Sequence, residues 1–241
     1  MSDSPLDAAA TAATAATGAP PVRIAAFDLD GTLLDGQSGT LVLRYLISHH
    51  LVHAKTILLA SWWGVRYKLH LPHRQSEVRE EIMGELKLLP PDRVTQILDD
   101  FHEEILVPRY RANGIAEIRR RQQCGEHAVI VSATFDAVAQ ASRAFLGADA
   151  ALATIMERDE RGWYTGRVQG EVTAGVEKLR RLRAYADERF GAGGWVLERA
   201  YGDHYTDVPL LEAARTCVCV NATHTLRNEA ERRGWTQVTW G

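Results

Sequence analysis

The sequence predicts a doubly wound α/β fold with an inserted helical cap and a small β-hairpin. Short apolar runs alternate with helical patterns along most of the chain, which is typical of a parallel sheet covered by helices on both faces. Residues 37–113 interrupt this alternation with several helical patterns separated by prolines. The length of 241 residues suits one core domain that carries such an insertion.

The predicted core, residues 22–36 and 114–241, follows an Ala- and Thr-rich stretch (residues 1–21) that indicates a disordered tail. Apolar runs of strand length predict four core strands: Val22–Phe27, His127–Val131, Trp195–Tyr201 and Arg215–Val220. Helical periodicity predicts four core helices: Phe135–Phe145, Gly175–Phe190, Val208–Ala214 and Leu226–Arg233. Two strand-like segments around a turn predict the hairpin: Ala151–Glu157 and Trp163–Val168 around Arg158–Gly162. Together these elements predict a Rossmann-like core.

The insertion, residues 37–113, is too long for a loop and is predicted to pack as a helical cap. Its helical patterns are Leu41–His50, Ala54–His70, Gln75–Leu86 and Pro91–Val107. One stretch within it, from Trp62 to Arg74, mixes aromatic and basic residues and has two interpretations. It is either a surface for a phosphorylated ligand or anionic lipid headgroups, or an amphipathic helix that buries its aromatics and keeps its charges in water. We favour the second, because it is the more common.

Composition excludes several classes of function. Hydrophobic residues make up 46% of the chain and charged residues 24%, an ordinary globular balance. A net charge of -3 offers no broad cationic surface, so no nucleic-acid partner is expected, and the run Arg119–Arg121 is interpreted as a solvated helix face. No apolar run approaches the roughly 20 residues of a membrane span, so no integral membrane association is expected. Three cysteines cannot build a disulfide framework, which favours a cytoplasmic location.

Acidic and hydroxyl side chains follow three predicted strands at the point where each strand ends. Asp28 and Asp30 follow the first strand, Ser132 the second, and Asp203 and Asp207 the third. In open α/β sheets these strand ends meet at one edge, where ligands bind. Converging carboxylates would repel each other, and a hard divalent cation such as Mg²⁺ relieves that repulsion.

Two residues are candidates for binding a phosphoryl group. Lys178 lies in the first turn of a predicted helix, where its ammonium can meet phosphate as a point charge. Ser132 precedes a predicted helix start, where a hydroxyl and free backbone N–H groups favour an anion. Each residue alone has an ordinary explanation, either a solvated charge or a helix-capping hydroxyl. Chance is a poor explanation for the whole set in this order on these elements.

The motif set resembles that of the haloacid dehalogenase superfamily. The residues similar to its four signature motifs are Asp28-Leu29-Asp30-Gly31-Thr32, Ser132, Lys178, and Gly202-Asp203 with Asp207. Two segments, Val129–Asp136 and Tyr164–Gly170, resemble the phosphoserine-phosphatase-like branch, as does the predicted cap between the first two motifs. The resemblance extends from Val22 to the C-terminus.

The resemblance implies a Mg²⁺-dependent phosphatase that acts on a small phosphorylated metabolite through an aspartyl phosphate. Asp28 is implied as the nucleophile, and Asp30 as the general acid for the leaving oxygen and then the general base for water. Mg²⁺ would be held by Asp28, the backbone carbonyl of Asp30, and Asp203.

The resemblance also implies supporting roles. Ser132 and Lys178 would hold phosphoryl oxygens, Asp207 would orient Lys178 or a metal-bound water, and Thr32 would support the first motif. His204, directly after the predicted ligand at position 203, either touches the site or orients its loop.

The sequence departs from the phosphoserine-phosphatase-like branch at two positions that bind the substrate in that branch. In phosphoserine phosphatases a glutamate seven residues after the second aspartate binds the ammonium group, and Gln37 stands at that place here. A cap arginine binds the substrate carboxylate in that branch, whereas Ile82 stands near the matching position and Arg79 lies one turn away. Gln37 and Arg79 are therefore candidate specificity residues, and we expect phosphoserine not to be the preferred substrate.

The same motif residues are compatible with other functions, which differ in what they require. A phosphotransferase would pass the phosphoryl group of the same intermediate to an alcohol, and phosphoserine phosphatase proper is a further alternative. A non-enzymatic binding scaffold would have lost a nucleophile, an acid or a metal ligand, and none is missing from the motifs. A dehalogenase needs neither Mg²⁺ nor the second aspartate, so Asp30 argues against it.

Overall fold

The computed structural model describes residues 20–52, 80 and 84–241. The strands with defined bounds are β1 (Val22–Phe27), β2 (Glu126–Phe135), β3 (Ala150–Thr154), β4 (Met156–Arg158), β5 (Tyr164–Val168), β6 (Trp195–Gly202), β7 (Thr216–Val220) and β8 (Thr236–Val238). The α-helices with defined bounds are α1 (Ser38–Ser48), α2 (Pro91–Phe101), α3 (Ala112–Gln123), α4 (Asp136–Leu146), α5 (Val176–Phe190), α6 (Val208–Glu212) and α7 (His224–Arg233).

Six strands form one sheet in the order β3-β2-β1-β6-β7-β8, and neighbouring strands in it pair in parallel. From β1 the chain adds β2 and β3 on one side, and later adds β6, β7 and β8 on the other. The strand order therefore reverses between β1 and β6, and such a switch point is where open α/β sheets bind ligands. β4 and β5 form a separate antiparallel hairpin. The predicted doubly wound parallel sheet and hairpin are confirmed.

Both faces of β1 are buried, which explains its largely apolar sequence. Ala25 and Phe27 belong to one hydrophobic core and Ile24 and Ala26 to the other, because side chains alternate between the two faces of a strand. The first core includes apolar residues of α1 to α4, and the second includes those of α5 to α7. Helices therefore cover both sides of the central strands and leave the strand ends as the open edge.

The segment Ala151–Glu157, predicted as one strand of the hairpin, is divided between two sheets. β3 pairs with β2 in the main sheet, whereas β4 pairs with β5. Thr154 holds the end of β3 in place, since its Oγ1 donates to the Ala133 carbonyl at 3.0 Å and accepts the Thr173 N–H at 3.1 Å. The chain leaves the main sheet at Ile155, and an apolar pattern cannot show that the partner strand changes there.

The helix predicted over Pro91–Val107 is wrong in its second half. The α-helix α2 ends at Phe101, and it continues as a π-helix over His102–Leu106 and a 3₁₀ turn over Val107–Arg109. Pro108 has no N–H, and its ring clashes with the carbonyl four residues earlier, so regular α-helical bonding cannot run through it.

The prediction that Arg119–Arg121 is a solvated helix face is wrong for Arg121. Its side chain is 6% exposed, and its guanidinium lies 3.1 Å from Glu117 Oε1 and 3.3 Å from Glu126 Oε1. In α3 the buried positions Gly114, Ile118 and Arg121 follow helical spacing, so Arg121 falls on the inward face. A buried guanidinium requires such carboxylate partners.

Only part of the predicted cap is described, namely α1, α2, residue 80 and residues 84–90. The predicted helix Ala54–His70, most of Gln75–Leu86 and the aromatic-basic stretch from Trp62 to Arg74 lie outside the described residues. The domain boundaries at residues 37 and 113 stay a prediction. Across the described ranges, no helix has the length and apolar character that a bilayer span requires.

Candidate active site

The carboxyl end of β1 places Asp28 at the switch point of the sheet. Asp28 directly follows β1, and its backbone N–H donates to the Tyr201 carbonyl on β6 at 2.9 Å. Phe27 stacks on Tyr201 with ring centroids 4.3 Å apart, which packs the two strands together immediately before this point. The Asp28 side chain is therefore held at the end of two packed strands, and it is buried.

Lys178 reaches Asp28 from the first turn of α5. Its Nζ donates to Asp28 Oδ1 at 2.5 Å and to Asp207 Oδ1 at 2.6 Å, and all three side chains are buried. Burial lowers the pKa of Lys178, but the charges of Asp207 and Asp28 raise it by more, so its net pKa is raised. The ammonium therefore stands as a positive charge between the ends of two strands.

Three carboxylates converge beside this lysine. Asp28, Asp203 and Asp207 each offer an oxygen, and these oxygens lie within 4.8 Å of one another. Burial raises the pKa of Asp28 well above its ordinary value, although Lys178 opposes the change. Burial, and then the charge of Asp207, raise the pKa of Asp203 to about 7. Ionised together, the three carboxylates would carry more negative charge than the Lys178 ammonium balances.

The donor set fits a hard divalent cation. The converging atoms are carboxylate oxygens, which Mg²⁺ prefers, and the raised pKa of Asp28 and Asp203 reflects burial and repulsion that a cation would relieve. Asp30 does not add its carboxylate to this cluster, because that group contacts Ser38. Any ligand atom from Asp30 would be its backbone carbonyl, as the resemblance implies.

Asp203 packs against the backbone of Gly31, in the loop that follows β1. Gly31 has a φ of +83°, and a Cβ atom built at this position would lie 2.2 Å from Asp203 Oδ2. Both the left-handed backbone and the close approach require glycine here. The glycine thus allows the two strand ends to bring their carboxylates together.

Replacing Gly31 with alanine is expected to lower both stability and activity. The backbone strain costs about 1–2 kcal/mol, and the overpacking about 1–3 kcal/mol more, in free energy of unfolding. Displacement of Asp203 is expected to lower kcat/KM by about 100-fold. Gly147→Ala is the matched control, because Gly147 has a φ of +74° with no atom within 4 Å of its added Cβ. Equal losses in the two variants, measured by thermal unfolding and phosphate release, would mean that the contact with Asp203 has no effect.

The two predicted hydroxyl groups lie at the same sheet edge. β2 pairs with β1 so that Ile130 stands opposite Phe27, and this register places Ser132 beside the residues that follow β1. Ser132 is buried, and its Oγ accepts the Thr134 N–H at 3.2 Å. Thr32 is also buried, and its Oγ1 lies 3.4 Å from Asp28 Oδ2.

Two residues near Asp30 were not predicted from the sequence: Ser38, which contacts the Asp30 carboxylate, and Thr134, which contacts Ser38. The Ser38 N–H donates to Asp30 Oδ1 at 2.8 Å, and Ser38 Oγ lies 2.8 Å from Asp30 Oδ2. Ser38 Oγ also lies 2.7 Å from Thr134 Oγ1. The position of Ser38 at a helix start was a weak signal, because a serine there is usually only a cap. No local pattern links Ser38 to Thr134, which lies 96 residues away.

The comparison with protein families agrees with these strand-end motifs. A family model described as haloacid dehalogenase-like hydrolase matches residues 25–212. The chain belongs to this family.

Several relatives of this haloacid dehalogenase-like hydrolase are named as phosphatases. It is 28% identical over 244 residues to a phosphoserine phosphatase of Mycobacterium tuberculosis, covering 97% of this chain and 77% of the relative. It is 26% identical over 223 residues to a histidinol-phosphatase of Neisseria meningitidis, covering 88% of this chain and 96% of the relative. A solved structure of a Bordetella pertussis protein of unknown function matches with a TM-score of 0.83 at 25% identity, covering 90% of this chain and 98% of that one. The hydrolase is therefore a phosphatase of the phosphoserine-phosphatase-like type.

Of the remaining candidates in this hydrolase, Gln37 is exposed directly before α1. Arg79 lies outside the described residues. His204 orients its loop, since its backbone N–H donates to Asp207 Oδ2 at 3.2 Å and its ring Nδ1 lies 3.0 Å from Thr206 Oγ1. Burial lowers the pKa of His204, which favours the neutral ring.

Proposed function

We propose that this protein is a Mg²⁺-dependent phosphomonoester phosphatase that acts on a small phosphorylated metabolite through an aspartyl phosphate on Asp28. The observation that carries the proposal is the different surroundings of two neighbouring carboxylates. Asp28 is buried with one oxygen 2.5 Å from Lys178 Nζ, whereas Asp30 is turned to Ser38. Carboxyl groups in such different surroundings suit two different roles, a nucleophile and an acid–base group.

In the first proposed step, a carboxylate oxygen of Asp28 attacks phosphorus as the bond to the ester oxygen breaks. The leaving oxygen takes a proton from Asp30, so the alcohol departs without a negative charge. Lys178 and Ser132 hold the phosphoryl oxygens during this step. The Lys178 ammonium is already fixed beside Asp28 by Asp207, so little reorganisation is needed as charge moves.

In the second proposed step, water attacks phosphorus in the aspartyl phosphate. Asp30, now a carboxylate, takes the proton from the water, and the bond between phosphorus and the Asp28 oxygen breaks. Inorganic phosphate leaves, and both aspartates return to their starting protonation states. The same residue can serve as acid and base because it carries the proton between the two steps.

Asp28, Asp203 and the backbone carbonyl of Asp30 are the proposed holders of Mg²⁺. When bound, the ion would neutralise negative charge on the phosphoryl oxygens and on the surrounding carboxylates. The support for this part of the proposal is the cluster of carboxylate oxygens within 4.8 Å of one another. Asp207 holds Lys178 at the border of that cluster.

The proposed substrate class is a small phosphomonoester, such as those named in the phosphoserine phosphatase and histidinol-phosphatase relatives. Gln37 has no charge with which to bind a substrate ammonium group. The phosphoryl group is therefore the part of the substrate that the described residues are suited to recognise. A cytoplasmic location belongs to the same proposal and rests on three free thiols, Cys124, Cys217 and Cys219.

We expect kcat/KM for phosphoserine to be no higher than for other small phosphomonoesters, because Gln37 is neutral. Gln37→Glu is expected to raise the ratio of phosphoserine turnover to p-nitrophenyl phosphate turnover by about fivefold, the equivalent of ~1 kcal/mol for an exposed ion pair. Gly39→Ala, two residues further on and exposed, is the control for disturbance of the helix start. Wild-type preference for phosphoserine would contradict the expectation.

Mg²⁺ binding is expected to stabilise the protein more at pH 8 than at pH 6. The folded pKa of Asp203 is about 7, above the ~4 of an unfolded aspartate, so this group lowers the stability of the metal-free protein as pH rises from about 4 to about 7. Mg²⁺ needs the ionised carboxylate, and at 100 times its Kd it should add about 2.7 kcal/mol, or about 5–11 °C in Tm.

Asp203→Asn tests the origin of this pH dependence by thermal unfolding. In this variant, the Mg²⁺-dependent shift in Tm should fall at both pH values, and the difference between the two should shrink. Glu198→Gln is the control, since Glu198 lies on β6, which ends directly before Asp203, and is half-buried near Arg215 rather than in the cluster. A shift in Tm that is independent of pH and of residue 203 would refute the metal assignment.

The test of the whole proposal is release of inorganic phosphate from p-nitrophenyl phosphate, phosphoserine, histidinol phosphate and glycerol phosphate. Reactions are run with Mg²⁺ or with EDTA, and with wild type or Asp28→Asn. Mg²⁺-dependent release that is lost in the variant supports the proposal. Release by Asp28→Asn at the wild-type rate, or none from any ester, contradicts it. Transfer of phosphate to added glycerol, detected by product analysis, would instead identify a phosphotransferase.

A further inference from the structure

Both oxygens of the Asp30 carboxylate contact the first residue of α1. The Ser38 N–H donates to Oδ1 at 2.8 Å, and Ser38 Oγ lies 2.8 Å from Oδ2. Two contacts from one residue fix both the direction and the plane of the carboxylate. Ser38 is 1% exposed, so water does not compete freely for these bonds.

Thr134 holds the Ser38 hydroxyl in turn. The two hydroxyl oxygens lie 2.7 Å apart, and the backbone N–H of Thr134 donates to Ser132 Oγ at 3.2 Å. A chain of contacts therefore runs from the half-buried Asp30 through the buried Ser38 and Thr134 to Ser132. It joins the loop after β1 to β2, and so links the proposed acid–base group to a proposed phosphate-binding residue.

Ser38 Oγ stands between Asp30 and Thr134. It lies 2.8 Å from Asp30 Oδ2 and 2.7 Å from Thr134 Oγ1. A hydroxyl can donate one hydrogen bond and accept another at the same time, so Ser38 can donate to Asp30 while it accepts from Thr134.

We propose that Ser38 is a positioning residue that orients the Asp30 carboxyl toward the leaving oxygen of the substrate, and that Thr134 fixes the Ser38 hydroxyl. The inference rests on the proposed function, because it gives Asp30 the acid–base role.

The competing explanation is that Asp30 only anchors the N-terminus of α1. A carboxylate at a helix N-terminus is stabilising in its own right, by about 0.3–1 kcal/mol. The two explanations differ in chemistry. An anchor affects all substrates equally, whereas a residue that positions a general acid matters most when the leaving oxygen needs a proton. An alkoxide needs that proton, and p-nitrophenolate leaves readily as an anion.

The test is therefore kcat/KM for two esters, p-nitrophenyl phosphate and the alkyl phosphate that wild type hydrolyses fastest. Ser38→Ala is expected to lower the value for the alkyl phosphate by about 10- to 100-fold, with a change below about threefold for the aryl ester. Ser38→Thr keeps the hydroxyl and should restore the alkyl value to within about threefold. Thr134→Val should lower the alkyl value selectively, by about three- to tenfold.

Ser48→Ala is the control, because Ser48 lies at the other end of α1, is exposed and contacts the Tyr45 carbonyl. It should leave both values unchanged. Equal losses for the two esters, a larger loss for the aryl ester, or no loss in Ser38→Ala would overturn the inference. The proposed function fails separately, if wild type hydrolyses neither ester or if Asp28→Asn retains activity.

Discussion

Replacing Asp28 with asparagine is expected to lower kcat/KM for phosphomonoester hydrolysis by a factor on the order of 10⁴. The amide keeps the size of the side chain but cannot form the acyl phosphate. Its oxygen can still accept a hydrogen bond from Lys178, which remains paired with Asp207. Because burial raises the pKa of Asp28, the fold disfavours the charged carboxylate, so the variant should have an equal or higher Tm.

Asp35→Asn is the matched control for this variant. Asp35 lies in the same loop after β1, its side chain is 72% exposed, and it pairs with Arg111 at the surface. Its replacement should change kcat/KM by less than about twofold and stability by less than ~1 kcal/mol. If Asp28→Asn were as active as this control, a nucleophile other than Asp28 would be required. Loss of the Asp28→Asn fold would show up in thermal unfolding and would separate a structural from a chemical effect.

Replacing Lys178 with methionine is expected to cost both activity and stability. Methionine keeps the length of the side chain but removes the charge that faces Asp28 and Asp207. Removal of one partner from a buried ion pair leaves an uncompensated charge, which costs about 3–5 kcal/mol in free energy of unfolding. The phosphoryl group also loses a cationic contact, so kcat/KM should fall by a factor on the order of 10³.

The loss of stability in Lys178→Met should be larger at high pH than at low pH. The pKa of Lys178 is raised in the folded state, so its stabilisation is fully present at neutral pH and is lost only above its unfolded pKa. Without Lys178, burial and the charges of Asp207 and Asp203 raise the pKa of Asp28 further, so unfolding becomes easier as pH rises above about 4.

Arg183→Met is the control for Lys178→Met, because Arg183 lies on the same helix and is exposed. Urea unfolding at pH 5 and pH 8 should show a larger difference between wild type and Lys178→Met at pH 8, and almost none for Arg183→Met. A pH-independent loss would indicate that Lys178 matters for packing rather than for charge.

The position of the candidate site is predictable from a local signal in the sequence. An apolar run that ends abruptly in polar residues identifies both a buried strand and its carboxyl end, as at Val22–Phe27 and Asp28. In a parallel sheet the carboxyl ends share one edge, so Asp28, Ser132 and Asp203 could be assigned to one place without knowing the strand order. The conclusion needed only the alternation of strands and helices.

Contacts between residues that lie far apart in the sequence could not be predicted from local patterns. Ser38 and Thr134 meet across 96 residues, and each alone is an ordinary hydroxyl near a helix or strand end. The same holds for Arg121, whose burial depends on which helix face turns inward and on carboxylates that meet it there. The chain likewise leaves the main sheet at Ile155 because β3 pairs with β2 whereas β4 pairs with β5, and these pairings are not visible in the local sequence.

The sequence by itself determined the α/β class, the residues at the strand ends and the chemistry their side chains can perform, because periodicity and residue type are local properties. Only the tertiary structure determined which side chains those residues contact, and therefore which role each can take. It joins Lys178 to Asp28 across 150 residues, and it turns Asp30 toward Ser38 instead. These contacts follow from backbone register and burial, which set the distances between the charged groups. Register and burial are properties of the assembled fold rather than of any single segment.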